Sequence, residues 1–208
     1  MDIVSCGHSS FRIRGKTVTV VTDPFDPAFT GLKFPRHIES DIVTVSHDHE
    51  DHNAVSQVEG KPFVVKGPGE YEIKGVGIVG IPSDHGNGIK EVNTIYRIEM
   101  DDLSIVHLGD LGRMLMSTEV DELDGVDILF IPVGGKYTID AGTAAKLVSE
   151  IDPSIVIPMH YSRPGLKFEL APFSAFLKEM GQEIVSPQPK LTASQGKIPE
   201  QKQIVVLE

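Results

Sequence analysis

The chain has 208 residues, 40% hydrophobic and 24% charged, which is enough for one substantial core and forces no second domain, so residues 1–208 are expected to form a single domain. A formal net charge of −11 repels nucleic-acid phosphates and argues against a nucleic-acid partner. The lone cysteine, Cys6, excludes an intrachain disulfide framework and leaves a cysteine-based zinc site without partners; it reads as a small buried residue on the first strand. The start, Met1 to Ser5, lacks the basic and apolar regions of a signal peptide, and no apolar run approaches the ~20 residues of a membrane span. A cytoplasmic protein with no membrane association is expected.

Short β-branched runs recur along the chain. Val18–Val21, Ile42–Val45, Ile78–Ile81, Thr94–Ile98, Leu103–Leu108, Ile128–Ile131 and Ile155–Ile157 read as strands, and their lack of clean alternation suggests burial on both faces. Asp140 can cap a helix with Ala144, Leu147, Val148 and Ile151 on one face, stopped at Asp152-Pro153. A second helix carries Phe173, Phe176, Leu177 and Met180 between Pro172 and Gly181. Residues 187–202 are polar and read as a surface loop before a last strand, Ile204–Leu207. One α/β domain with two sheets inside and helices outside fits this order.

Three histidines and three carboxylates fall within the six residues His47-Asp48-His49-Glu50-Asp51-His52, directly after a strand. Residues two apart in an extended segment share a side, so His47 and His49 can reach one metal. If the chain then turns into a helix, Asp51 and His52 on its first turn aim at a neighbouring point. Three later strand runs each end in a candidate ligand: His85, Asp110 and His160. Strand ends hold ligands firmly and leave the site open. Imidazole with carboxylate suits zinc, and also manganese or iron.

With these residues in place, the sequence resembles the metallo-β-lactamase superfamily. The family motif H-x-H-x-D-H stands as His47, His49, Asp51 and His52; its later histidine matches His85, its bridging aspartate in a Gly-Asp pair matches Asp110, and its final histidine matches His160. Gly7-His8-Ser9-Ser10-Phe11 and Thr22-Asp23-Pro24-Phe25 resemble the branch of small Zn-dependent hydrolases that includes the ascorbate-6-phosphate lactonase type. The resemblance implies a four-layer αβ/βα sandwich with metals at one edge. It assigns His47, His49 and His85 to a first metal, Asp51, His52 and His160 to a second, and Asp110 to both. Flavodiiron relatives carry glutamate where this chain has His49, which favours hydrolysis over oxygen chemistry.

Two divalent ions ~3.5–4 Å apart can hold a bridging hydroxide at neutral pH. The expected reaction is therefore hydrolysis of an ester-like bond, a phosphodiester or lactone, in a small anionic substrate, with Asp51 and Asp110 as the catalytic carboxylates. Asp23 can accept the free N–H of a ligating imidazole. His8 is a candidate proton donor facing the cleft, and His107 lies in the strand before Asp110. Lys136, Tyr137 and Tyr161 are candidate substrate contacts, and Gly134-Gly135 would permit close backbone approach. Two alternatives stay open: a metal-binding sensor or assembly subunit without turnover, and a mononuclear iron dioxygenase. A homo-oligomer is compatible with the sequence.

Overall fold

The computed structural model describes residues 1–86 and 91–208. In chain order its strands and helices are β1 (Asp2–Gly7), β2 (Ser10–Arg14), β3 (Thr19–Thr22), α1 (Pro27–Thr30), β4 (Ile42–Val45), β5 (Phe63–Lys66), β6 (Gly69–Ile73), β7 (Val76–Asp84), β8 (Val92–Met100), β9 (Leu103–His107), α2 (Ser117–Asp121), β10 (Ile128–Pro132), α3 (Ala141–Ile151), β11 (Ile155–Met159), α4 (Phe173–Glu179), β12 (Leu191–Thr192) and β13 (Gln203–Ile204). They form a six-stranded sheet, β12-β1-β2-β3-β4-β5, and a seven-stranded sheet, β13-β11-β10-β9-β8-β7-β6. Among the described residues no helix is long and apolar enough to cross a membrane.

Side-chain alternation divides each strand between two cores. Ile3, Phe11, Ile13, Val20 and Ile42 meet Ile78, Tyr96, Ile98, Ile105, Phe130 and Ile157 between the sheets. The alternate residues Val106, Leu129, Ile131 and Val156 face outward and are covered by Ala144, Leu147, Val148 and Ile151 of α3 and Phe176 of α4. Asp140 caps α3 through a bond from the Thr143 amide, 2.8 Å, and Asp152 ends it in the left-handed region. On the far side, Val21, Val43 and Val45 are covered by Phe25, Phe34, Ile38 and Val58. The layers are those of the αβ/βα sandwich, but the layer over the first sheet is made mainly of loops around the four-residue α1.

Two expectations at the C-terminal end are corrected. Residues 187–202 are not only a surface loop: Leu191 and Ala193 are buried between the sheets, and β12 pairs with β1 through Ile3 and Leu191. The last strand is shorter than Ile204–Leu207. Only Gln203–Ile204 pairs with β11, and Leu207 instead bridges to Gln188. The tail turns from one sheet edge to seal the bottom of the inter-sheet core, so its apolar residues do not define one continuous ladder.

Candidate metal centre

The parallel strands β3, β4, β9, β10 and β11 end on the same side, and the candidate ligands lie on the loops that follow β4, β7, β9 and β11. After β4 the chain does not enter a helix. It makes a tight turn in which the His52 and Asn53 amides both donate to the His49 carbonyl, 2.9 Å each. This turn does the work expected of a helical first turn: it sets Asp51 and His52 inward beside His47.

The imidazoles and carboxylates gather into overlapping groups. Ligating atoms of His47, His49 and His85 all lie within 4.8 Å of one another, as do those of His8, Asp51, His52 and His160, and those of His47, His52 and Asp110. Asp110 sits between the first two groups: its carboxylate is 3.9 Å from His47 Nε2, 3.3 Å from His52 Nε2 and 3.3 Å from His160 Nε2. His8 was expected to face the cleft. It is buried instead, with Nε2 3.1 Å from Asp51 Oδ2 and its ring tilted against His160 at 4.4 Å.

Hydrogen bonding fixes which ring nitrogens face inward. Asp23, fully buried, accepts from the Ser46 amide, 2.8 Å, the Ser46 hydroxyl, and His52 Nδ1, 2.8 Å. Asp23 as a carboxylate can only accept, so the single hydroxyl proton of Ser46 is directed to it. His47 Nδ1, 2.9 Å from the same hydroxyl, must then be the donor. Both His47 and His52 therefore carry a proton on Nδ1 and turn Nε2 inward. Those two Nε2 atoms, with His85 Nε2 and Asp110 Oδ1, are buried with no hydrogen-bond partner among the described residues. Four such converging atoms would be costly side by side, and one cation chemistry satisfies all of them; the donor set of imidazole and carboxylate fits zinc, manganese or iron.

Electrostatics agree for His47 and His160; burial would lower His52 as well, but Asp110 and Asp51 outweigh it and raise its pKa well above 6.5, so an ion would have to displace a proton there. Burial, with His52 nearby, pushes His47 down to about 3, and burial pushes His160 down to about 4. Both are neutral near pH 7, as ligation requires. Burial alone would raise Asp110, but His160 and His52 outweigh it and hold the carboxyl well below its usual range. Burial likewise opposes ionisation of Asp51, and His52 and His8 more than offset it. Three residues of this region, His8, Asp23 and His160, have left-handed backbone, with φ of 52°, 39° and 50°.

A cleft of about 350 Å³ opens over the cluster. His49, Asp51, His85, Asp110 and His160 line it, together with Glu50, Glu91 and the rings of Phe29, Tyr137 and Phe168. Glu91 Oε2 is 2.9 Å from His49 Nε2. The other candidates fall elsewhere. Lys136 lines a separate depression with Arg113 and Asp140. Tyr161 is buried in the outer core, edge-on to Phe173 and held by Arg163 at 2.8 Å. His107 accepts from the Gly109 amide, 3.1 Å, and so donates from Nε2 to the Ser9 carbonyl, 2.9 Å; it braces the strands beneath the site. Sequence reading missed Asn93, whose buried side chain accepts from the Asp110 amide, 3.0 Å, and donates to the Leu108 carbonyl, 2.9 Å. A buried-looking asparagine inside an apolar strand was the available signal.

Gly134 approaches His160 rather than a substrate. A Cβ there would fall 2.1 Å from the His160 carbonyl oxygen, so only glycine lets the loops after β10 and β11 close this tightly. Gly134→Ala should cost about 1–3 kcal/mol in denaturant unfolding through forced backbone movement, and should weaken zinc binding by displacing His160. Unchanged stability and zinc affinity would show that the contact relaxes freely.

Residues 2–160 match the family model of the β-lactamase superfamily domain. The chain belongs to the β-lactamase superfamily. Its relatives place it among the metal-dependent hydrolases of that superfamily. It is 31% identical to a UPF0173 metal-dependent hydrolase of Staphylothermus marinus, over 75% of this chain and 81% of the relative. It is 26% identical to a second, from Methanopyrus kandleri, over 88% and 94%. A solved structure from Thermotoga maritima, assigned to the Zn-dependent hydrolases of the metallo-β-lactamase superfamily, superposes with a TM-score of 0.82 at 34% identity, covering 100% of this chain and 98% of that one.

Proposed function

We propose that residues 1–208 act as a single-domain, two-metal hydrolase that cleaves an ester-like bond, a phosphodiester or lactone, in a small molecule. The observation that carries this reading is the convergence of buried, unpartnered Nε2 and carboxylate atoms into two groups joined by Asp110. His47, His49 and His85 would hold one ion, Asp51, His52 and His160 the other, and Asp110 both; zinc suits the set first, manganese or iron next. When bound, such ions supply Lewis acidity and bring the pKa of coordinated water near 7.

The chain's own residues supply the rest. Asp23 and Ser46 keep Nδ1 of His52 and His47 protonated, so each ring turns its Nε2 inward. Asp51 lines the cleft with its carboxylate steadied by His8, where it can hold or pass on the proton released during attack. Asn93 fixes the backbone at Asp110, so this carboxylate stays between the two groups. Negative charge on the reacting phosphoryl or carboxyl group suits such a centre. Among the described residues, no lysine or arginine lines the cleft to bind a further anionic group.

The test is metal analysis paired with a phosphodiester and lactone panel. Two zinc or manganese equivalents per chain are expected, with turnover abolished by chelation and restored by either metal. A single equivalent would reject the two-metal reading, and full turnover after chelation would reject hydrolysis by this centre.

A further inference from the structure

Three aromatic residues distant in sequence meet on the cleft wall. Phe29 comes from α1, Tyr137 from the loop after β10, and Phe168 from the loop after β11. The Phe168 ring centroid is 6.1 Å from Phe29 and 6.2 Å from Tyr137, the latter pair edge-on at 85°. Phe168 is also edge-on to His8 at 5.6 Å, which places the row beside the Asp51–His160 side of the centre. Phe29 and Tyr137 are each 43% exposed. Rings this open contribute little to a core, and a cluster of them at a cleft marks a binding surface.

The row is held firmly. The Lys167 amide donates to the Thr30 carbonyl, 2.9 Å, and the Lys167 ammonium donates to the Ala28 carbonyl. Both bonds tie the Phe168 loop to α1, which carries Phe29. Gly31 ends α1 at φ 81°, and a Cβ there would fall 2.4 Å from the Gly165 carbonyl oxygen; glycine alone permits this docking. The lysine next to Phe168 is thus used as a tie. The lysine next to Tyr137 lies 5.6 Å from that ring and outside the cleft. Among the described residues, the charged side chains that share the cleft with the rings, apart from the candidate ligands, are Glu50 and Glu91, which discourage an anionic arm.

We propose that Phe29, Phe168 and Tyr137 form a specificity wall for an uncharged aryl arm of the substrate. The proposal rests on the ester-like hydrolysis read above and adds what the bond is attached to. A cleft of about 350 Å³ has room for a ring beside a phosphoryl or carboxyl head, since a cavity of roughly 150 Å³ already takes a benzene. Offset and edge-on contact with three rings favours another ring over a small alkyl group.

Calorimetry of the zinc-loaded protein with phenylphosphonate and methylphosphonate tests this. Phenylphosphonate should bind at least about tenfold more tightly, from the buried ring area. That preference should shrink toward one in Phe168→Ala and in Phe29→Ala, with zinc content unchanged in each. Phe29 is exposed enough that its variant should fold even if the other does not. Equal binding of the two probes by the unaltered protein would overturn the wall, as would a preference that survives in both variants. Turnover of the phosphodiester and lactone panel is scored separately. Turnover without an aryl preference sinks the wall alone, whereas an aryl preference without turnover sinks only the hydrolytic reading.

Discussion

Asp110→Ala is expected to lower turnover at least about a thousandfold, equivalent to roughly 4 kcal/mol of barrier, and to release at least one metal equivalent. The carboxylate approaches His47, His52 and His160, which belong to both groups. Its loss would therefore affect both ions of the proposed pair at once, and it also removes the negative charge beside three buried imidazoles. Asp110→Asn keeps the shape and one oxygen, and should retain more metal than alanine without recovering full rate. Metal content by mass spectrometry and kcat on any panel substrate decide the matter. An alanine variant with two ions and full kcat would remove Asp110 from the mechanism.

Asp23 has the second largest expected effect, although it does not line the cleft. Its oxygens accept three bonds, from the Ser46 amide, the Ser46 hydroxyl and His52 Nδ1. In Asp23→Asn one oxygen becomes an N–H₂ that must face one of those donors. The residue also sits at φ 39°, a conformation asparagine tolerates, so the substitution isolates the change in hydrogen bonding and charge. Zinc affinity should fall about 10–100-fold, as for other groups that orient a ligating histidine. Asp23→Ala leaves those donors unpaired in a fully buried site and should cost roughly 3–5 kcal/mol of stability. Burial would raise the Asp23 carboxyl, but His107 and His52 hold it below its ordinary 3.8. Its stabilising contribution is therefore complete above pH 3.8 and is lost only as pH falls beneath that value. Zinc titration and urea unfolding at pH 7 measure both effects; an asparagine variant with unchanged zinc affinity would mean that Ser46 and His52 orient without Asp23.

The candidate ligand cluster was legible because its residues are both chemically distinctive and placed by strands. His47 to His52 is dense in imidazole and carboxylate, and His85, Asp110 and His160 each follow an apolar run whose end is easy to see. The sheets were legible where strands are buried on both faces, as in β9, β10 and β11. They were not where an edge strand carries charge, as Glu70 and Glu72 do in β6, or has two residues, as β12 does. The cleft wall was hidden for another reason. Phe29 sits in the four-residue α1 and Phe168 in a loop, and neither segment is long enough to show a period that betrays a face. For neighbours such as Lys136 and Tyr137, or His160 and Tyr161, only the backbone angle decides which side chain enters the cleft. Lys136 at φ 65° and His160 at φ 50° turn these pairs in ways that spacing does not encode.

The left-handed backbone at His8, Asp23 and His160 has a cost, roughly 1 kcal/mol at each position. Glycine would relieve that backbone cost, but at position 23 it would also leave the Ser46 and His52 donors unpaired, a larger loss. At Asp23 the buried hydrogen bonds and the proposed chemistry therefore ask for the same side chain, and the backbone cost is the smaller effect. A stabilising programme for this protein should therefore leave 8, 23 and 160 untouched, despite their strained backbone, and look to its surface loops instead.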